Sequence, residues 1–312
     1  MTHGSFDHEV IIIGGGPAAI SASLWCEELG LDSMLLERTG RLGGQLLRTF
    51  NHVRNFLGVE TENGTELSKV LVGHRLKTRF PHRLDTRVED LDAASKTVRL
   101  VGGERLTASV IMIATGVSRR KLEVPGEDQF EGRGIIDSGA RDVEKARGKR
   151  VVVVGGGDAA FENALNLSSV AADLVLVHRR AQFSARPEFL EAVQASPTRI
   201  FTETRVKQIK GGSKVESVEL ERSDGSHFEV PADVVLIRIG VRPNSELLAD
   251  QAALDPAGYV IVDSLCRTSA EGVFAIGDVA NPVAPTISSA AGMGSTAAKA
   301  AKQYLRNRAP LP

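Results

Sequence analysis

One pattern, carried twice, constrains this chain more than any other feature. Glu9 to Ile13 reads as a strand and leads into Gly14-Gly15-Gly16-Pro17-Ala18-Ala19. Arg150 to Val154 does the same and leads into Gly155-Gly156-Gly157-Asp158-Ala159-Ala160. Both turns fit Gly-x-Gly-x-x-Ala and lie 155 − 14 = 141 residues apart. Behind each turn the sequence predicts a helix, from Pro17 to about Gly30 and then to about Val170. A second strand comes next in each case, Ser33 to Glu37 and Leu174 to Val177. Strand, glycine turn, helix and strand make the βαβ unit. The first glycine permits the tight turn, the second lets backbone approach a pyrophosphate, and the small third residue packs helix on strand. Free N–H groups and the helix dipole then favour the negative charge. Two such units in 312 residues predict an α/β protein with two Rossmann-like, three-layer ββα nucleotide-binding domains.

The stretch Val117 to Gly126 carries three consecutive basic residues and Pro-Gly, and reads as a linker. So does Gly240 to Asn244, where Pro243 ends a β-rich run. Short strands, the run VFAIGDV and a helix rich in Ala and Gly come after it. The expected organisation is an interrupted first domain, residues 1–118 and 246–312, with residues 119–245 inserted as the second.

The two units differ at the residues that end their second strands. Glu37 lies 37 − 14 = 23 positions beyond Gly14, next to Arg38, where a carboxylate accepts hydrogen bonds from ribose hydroxyls. Ala114-Thr115-Gly116 closes the first half of that domain, and Gly277-Asp278 comes after the strand VFAI. An Asp after such a strand suits the ribityl hydroxyls of a flavin, and the next helix aims N–H groups at the flavin pyrimidine. FAD is therefore expected here; a helix cap is the alternative role for Asp278. In the second unit the strand ends in His178-Arg179-Arg180, with no acid at the ribose position. Guanidinium groups pair with a 2′-phosphate that a carboxylate would repel, so NADPH is expected, with a solvated basic turn as the alternative.

Bulk properties exclude several classes. A formal charge of −1 provides no global field toward nucleic acid or anionic lipid. No apolar run approaches membrane-spanning length and the polar start lacks an apolar signal core, so a cytoplasmic protein is expected. Between Arg41 and Arg87 nine Lys/Arg face four acids, a local basic bias beside the first nucleotide motifs. Two cysteines, Cys26 and Cys266, and seven scattered histidines make no metal-ligand spacing; His52, near the flavin motifs, is the one histidine singled out.

Taken in order, GGGPAA, GGQL (Gly43-Gly44-Gln45-Leu46), VRN ending at Asn55, ATG, GRG (132–134), GGGDAA, HRR, GVRPN (240–244) and VFAIGDV resemble the low-molecular-weight thioredoxin reductases. The resemblance implies an FAD domain with an inserted NADPH domain, and a homodimer. It adds Gly43, Gly44, Gln45 and Asn55 to the flavin contacts expected from Gly14, Gly16, Pro17, Ala18, Glu37, Arg38, Ala114, Thr115, Gly116, Gly277 and Asp278. The NADPH contacts it implies are Gly155, Gly157, Asp158, Ala159, His178, Arg179 and Arg180. Ser184 stands where the family has a third phosphate-site arginine, and Arg186 is expected to compensate. Pro285-Thr286-Ile287 replaces the family's Arg-Gln-Ala, leaving the backbone N–H groups of Thr286 and Ile287 to face the flavin.

The family's Cys-Ala-Thr-Cys-Asp segment aligns here with Ser138-Gly139-Ala140-Arg141-Asp142. Disulfide reduction needs an attacking thiolate and a resolving neighbour, and serine replaces neither. The expectation is a non-thioredoxin acceptor, either a small molecule or a ferredoxin- or flavodoxin-type carrier. Ser138 is a candidate catalytic residue, as is Asp142, which matches the family's proton-transfer Asp. The alternative is a non-catalytic FAD/NADPH-binding redox sensor.

Overall fold

The structure, a computed structural model, describes residues 6–75 and 81–308. Lys77 and Arg79 of the basic segment lie outside the described residues. The chain divides into two compact units, Met1–Ser118 with Arg242–Pro312, and Arg119–Val241.

The first unit opens with β1 (His8–Ile13), α1 (Pro17–Glu28) and β2 (Ser33–Leu36). Helix α1 stops before Gly30 because that residue turns left-handed, with φ +65°, and donates its N–H to Glu27 O. After α2 (Gly64–Arg75) come β3 (His82–Arg83), β4 (Val88–Asp92), β5 (Thr97–Leu100) and β6 (Arg105–Ile113). The parallel core runs β3-β2-β1-β6, while β5 and β4 continue antiparallel beside the first half of β6. The second halves of β1 and β6, Val10 to Ile13 and Val110 to Ile113, are buried apolar runs, as a sheet covered on both faces requires.

Val117–Arg119, expected as linker, forms β7 instead, because its backbone groups find partners in a strand that returns at Val241–Pro243. Within the second unit, β8 (Ile135–Ile136) and α3 (Val143–Ala146) precede β9 (Arg150–Gly155), α4 (Asp158–Ser168), β10 (Asp173–Val177), α5 (Pro187–Gln194) and β11 (Arg199–Phe201). An antiparallel sheet of β12 (Thr204–Gly211), β13 (Val215–Arg222) and β14 (His227–Pro231) comes next, then β15 (Val234–Arg238). The parallel sheet is ordered β11-β10-β9-β15-β8, so strand order reverses at β9. One core fills the space between this sheet and the antiparallel one around Phe130, Val152, Val175 and Val218; another packs the opposite face under Phe161 and Ala164 of α4.

Val241–Pro243 is β16, the strand paired with β7. Back in the first unit, β17 (Val273–Ala275) adds in parallel to the second half of β6, and α6 (Ile287–Arg308) packs on α1 through Ala297, Ala298 and Ala301. Each unit therefore has the layered sheet-and-helix form of an α/β nucleotide-binding domain.

Candidate functional site

Strand β1 ends at Ile13 and the chain turns immediately. Gly14 has φ +119°, and a Cβ there would lie 2.3 Å from the Ala114 carbonyl oxygen, so only glycine fits. The Gly14 N–H donates to Leu36 O at 2.9 Å, and the Ala114 N–H donates to Ile13 O at 2.8 Å, tying the turn to both neighbouring strands. Gly16 is the extended residue before α1 and Pro17 its first position; no side chain caps this end. The first-turn N–H groups thus keep the orientation that holds a pyrophosphate. A Cβ on Gly44 would come 2.9 Å from the Gly16 α-carbon, so two side-chain-free backbones meet and form a cradle. Glu37 is buried beside the same turn. Its Oε1 accepts hydrogen bonds from the Thr39 N–H (2.8 Å) and hydroxyl (2.7 Å), and its Oε2 faces Gly15. Arg38 is exposed.

The loop Ala114-Thr115-Gly116 is clamped by Asn244, a residue expected as part of a linker and of the GVRPN run. Asn244 Nδ2 donates to Thr115 O (2.8 Å), its backbone N–H donates to Gly116 O (2.9 Å), and its carbonyl accepts the Thr115 hydroxyl (2.6 Å). Gln45 Nε2 donates to Val117 O at 2.6 Å, and exposed Asn55 lines an open hollow formed by Arg54 to Glu60. His52 Nε2 pairs with Glu62 at 2.5 Å.

Asp278 is half-buried beyond β17 and has no hydrogen-bond or ion-pair partner among the described residues; burial alone raises its carboxyl pKa. Gly277 beside it packs on Ala18, the second residue of α1. An orphaned carboxylate next to a dinucleotide turn suits a ligand that brings hydroxyl donors. The expectation for Thr286 needs correction. Its N–H already donates to Ala284 O at 2.8 Å, and its hydroxyl caps α6 by accepting the Ser289 N–H at 3.1 Å. Ile287 is the first residue of α6.

In the second unit, Gly155 has φ +153°, and a Cβ there would be 2.2 Å from the Arg238 carbonyl oxygen. Gly157 precedes α4 in extended conformation with no side-chain cap. Ser184 braces the turn through its N–H to Gly156 O (2.8 Å). The His178 ring packs over Gly156 and against Phe183 as a wall of the turn, and its Nε2 meets Gln182 O at 3.0 Å; burial lowers its pKa. Arg179 and Arg180 are exposed, with no carboxylate partner among the described residues. Arg186 does not take the compensating role expected of it. Its guanidinium and N–H both bind Asp158 at 2.8 Å, with Glu188 at 3.2 Å, which anchors the start of α5 to α4. Ala159 O accepts from Asn163 Nδ2 (2.6 Å), and Asn163 Oδ1 accepts the Gly139 N–H (2.6 Å).

That last bond joins α4 to the loop 137–142. Asp142 is buried, and its carboxylate receives the N–H groups of Asp137 and Ser138 (both 3.2 Å), Arg141 Nε (2.9 Å) and Nη2 (2.6 Å), and Lys145 Nζ (3.1 Å). Burial opposes the charge, but these donors outweigh it and hold the pKa at about 2. The expectation of an acid or base is thereby corrected: a carboxylate this saturated exchanges no proton near neutrality. Ser138 is also buried, and its Oγ accepts the Arg141 N–H at 3.2 Å. With the adjacent carboxylate fully engaged, no base activates it, so it is not a nucleophile in this arrangement. Both cysteines are buried and free, with thiol pKa values pushed up by burial to about 12 for Cys26 and about 11 for Cys266. No group of three or more metal-ligating side chains occurs among the described residues. None of their helices is long and apolar enough to cross a membrane.

Residues 8–301 match the family described as Pyridine nucleotide-disulphide oxidoreductase. The chain belongs to this family. It is 37% identical over 307 residues to the thioredoxin reductase of Mycolicibacterium smegmatis, covering 96% of each chain. It is 32% identical over 301 residues to the thioredoxin reductase of Listeria innocua, there covering 96% of this chain and 94% of the relative. The crystal structure of Lactococcus lactis thioredoxin reductase superposes with a TM-score of 0.84 at 29% identity, over 96% of this chain and 100% of that one. Thioredoxin reductases use FAD and NADPH, and the chain is a flavoprotein NADPH oxidoreductase of that type. The cradle at Gly16 and Gly44, the buried Glu37 and the unpartnered Asp278 fit FAD; the turn at Gly155 with exposed Arg179 and Arg180 fits NADPH. Sequence reasoning missed Asn244 as a clamp and Arg238 altogether. The GVRPN run contained the first; a lone arginine ending an apolar strand was the only signal for the second.

Proposed function

We propose that this chain passes electrons from NADPH through FAD to a small-molecule acceptor other than thioredoxin. The observation that carries the reading is the loop 137–142. Ser138 and Arg141 occupy the positions at which the resemblance expects the family's two cysteines, and the chain's own two cysteines are buried, 266 − 26 = 240 residues apart, with raised pKa values. Both features argue against a dithiol relay, which needs a reactive thiolate and a partner beside it.

The chemistry FAD supplies when bound is uptake of a hydride equivalent from the nicotinamide and its onward release. The residues argued to hold it bind and orient. Gly14, Gly16 and Gly44 let backbone N–H groups approach the pyrophosphate, Glu37 accepts from ribose hydroxyls and Asp278 from the ribityl chain. Arg179 and Arg180 hold the 2′-phosphate of NADPH, and α4 faces its pyrophosphate. Asp142 keeps the acceptor loop in one shape and remains a carboxylate throughout. We take the enzyme to act in the cytoplasm and as a homodimer, the latter as the family resemblance implies.

A ferredoxin- or flavodoxin-type carrier has weaker support. In the basic segment that would receive it, Arg54 already pairs with Glu60 (3.4 Å) and Arg83 with Glu104 (2.7 Å). The test is anaerobic mixing of the holoenzyme with NADPH, and then a panel of acceptors. Rapid flavin bleaching, no thioredoxin-dependent insulin reduction and turnover with a small molecule are expected. The proteins of Mycolicibacterium smegmatis, Listeria innocua and Lactococcus lactis that the chain resembles are all thioredoxin reductases, and turnover of thioredoxin would overturn the proposal. Absence of bleaching would favour the redox-sensor alternative.

A further inference from the structure

The segment between β10 and α5, residues 178–186, carries Arg179 and Arg180 and closes back onto the second glycine turn. Ser184 donates both its N–H (2.8 Å) and its hydroxyl (3.2 Å) to Gly156 O. Arg186 donates its N–H to Asp158 Oδ1 and its Nε to Asp158 Oδ2, both at 2.8 Å. Ser184 and Arg186 are thereby committed to the turn, and the exposed Arg179 and Arg180 are left for the 2′-phosphate. One residue engages both oxygens of the Asp158 carboxylate, and these contacts, the Arg186 N–H foremost, lower its pKa.

Asp158 is the first residue of α4. Negative charge in a first helical turn suits the free N–H groups and the helix dipole, so the carboxylate stabilises the empty protein. A pyrophosphate is drawn to the same end of the same helix. Two negative groups there repel each other unless a cation stands beside the carboxylate. Arg186 is that cation. Its guanidinium also lies 3.2 Å from Glu188 and 4.5 Å from the centroid of the Phe189 ring, which fix it at the start of α5. In the first glycine turn the corresponding position is Pro17, which has no charge to compensate.

We propose that Arg186 is a positioning residue for the NADPH pyrophosphate: it acts through Asp158, holding that carboxylate and cancelling its charge at the start of α4. This rests on the preceding reading that α4 faces the pyrophosphate of NADPH.

The experiment is calorimetric titration of the oxidised holoenzyme with NADP⁺, with ADP, which has the pyrophosphate without the 2′-phosphate, and with adenosine 2′-monophosphate, which has the reverse. In Arg186→Met the Kd for ADP and for NADP⁺ should rise by the same factor, about fivefold at low ionic strength and less as salt is added. Adenosine 2′-monophosphate should bind as it does to the wild type. Adding Asp158→Asn to Arg186→Met should restore both affinities, and Arg186→Lys should retain most of them. The pair Arg179→Leu/Arg180→Leu should give the converse, a loss for NADP⁺ and adenosine 2′-monophosphate with ADP unchanged. Far-ultraviolet circular dichroism and flavin content check each variant; should Arg186→Met not fold, Arg186→Gln takes its place. Unchanged ADP affinity, a loss confined to the probes with a 2′-phosphate, no restoration by Asp158→Asn, or restoration by Glu188→Gln instead would overturn the proposal alone. Absence of ADP binding to the wild type would overturn the placement of the pyrophosphate on α4 and the proposal with it, so the two failures are distinguishable. Neither depends on which acceptor the enzyme reduces.

Discussion

At the scale of single residues, two carboxylates show how environment assigns opposite properties to the same group. Asp142 receives five donor contacts and is held at a pKa of about 2, below the usual carboxylate range. Its folded-state pKa is depressed, so its stabilisation is present above the unfolded-state pKa and is lost as pH falls through about 2. The contribution at neutral pH is about 2 kcal/mol. Asp142→Asn should lower stability by about that amount in urea unfolding at neutral pH, a difference that disappears near pH 2. Its pH profile for flavin reduction should match that of the wild type between about pH 6 and about pH 8; a displaced profile would restore a proton-transfer role for this residue. Asp278 has no donor and a pKa raised by burial alone. In the apo-protein its charge is unfavourable at neutral pH and the folded state gains as pH falls toward its raised pKa. Asp278→Asn should therefore stabilise the apo-protein while weakening FAD binding by about tenfold or more, read by thermal unfolding and by flavin titration.

At the scale of elements, each glycine turn works because a strand, a helix and a second strand meet with no room for a side chain. Gly14→Ala would drive a methyl group into the Ala114 carbonyl and force a left-handed backbone on alanine. A loss of about 3 kcal/mol and a colourless purified protein are expected, measured by unfolding and by absorbance. In the second unit the end of β10 differs from the end of β2 by presenting Arg179 and Arg180 in place of a carboxylate. Replacing both with leucine should raise the KM for NADPH by about ten- to a hundredfold and leave that for NADH nearly unchanged, the separation expected of a lost phosphate contact. Equal effects on the two cofactors would place the 2′-phosphate elsewhere.

For the whole molecule, the two units have separate cores, one around β1, β6 and the α1–α6 pair, the other around β9, β10 and β15. Calorimetry of the apo-protein with added FAD should shift the transition of the first unit, and NADP⁺ that of the second, since a ligand stabilises only the fold that binds it. Much of this architecture was legible in the chain itself. Glycine turns, apolar strands and the acid or arginine ending the next strand are local patterns, because the backbone geometry that cradles a pyrophosphate is set within about thirty consecutive residues. The element ends were less legible: β7 formed where a linker was expected because its partner strand lies more than a hundred residues away. The charge states of the loop 137–142 were not legible at all. Asp142 matched a proton-transfer position in alignment, yet Arg141, Lys145 and two backbone N–H groups leave it no proton to give. Arg186 looked available for a phosphate until Asp158 was found to hold it. Local sequence thus determined the nucleotide-binding fold and the wide separation of the two cysteines, Cys26 and Cys266. Only the tertiary structure decided which charged groups are already satisfied, because whether a donor reaches a carboxylate depends on the backbone turn and the burial around it, which residue spacing alone does not fix.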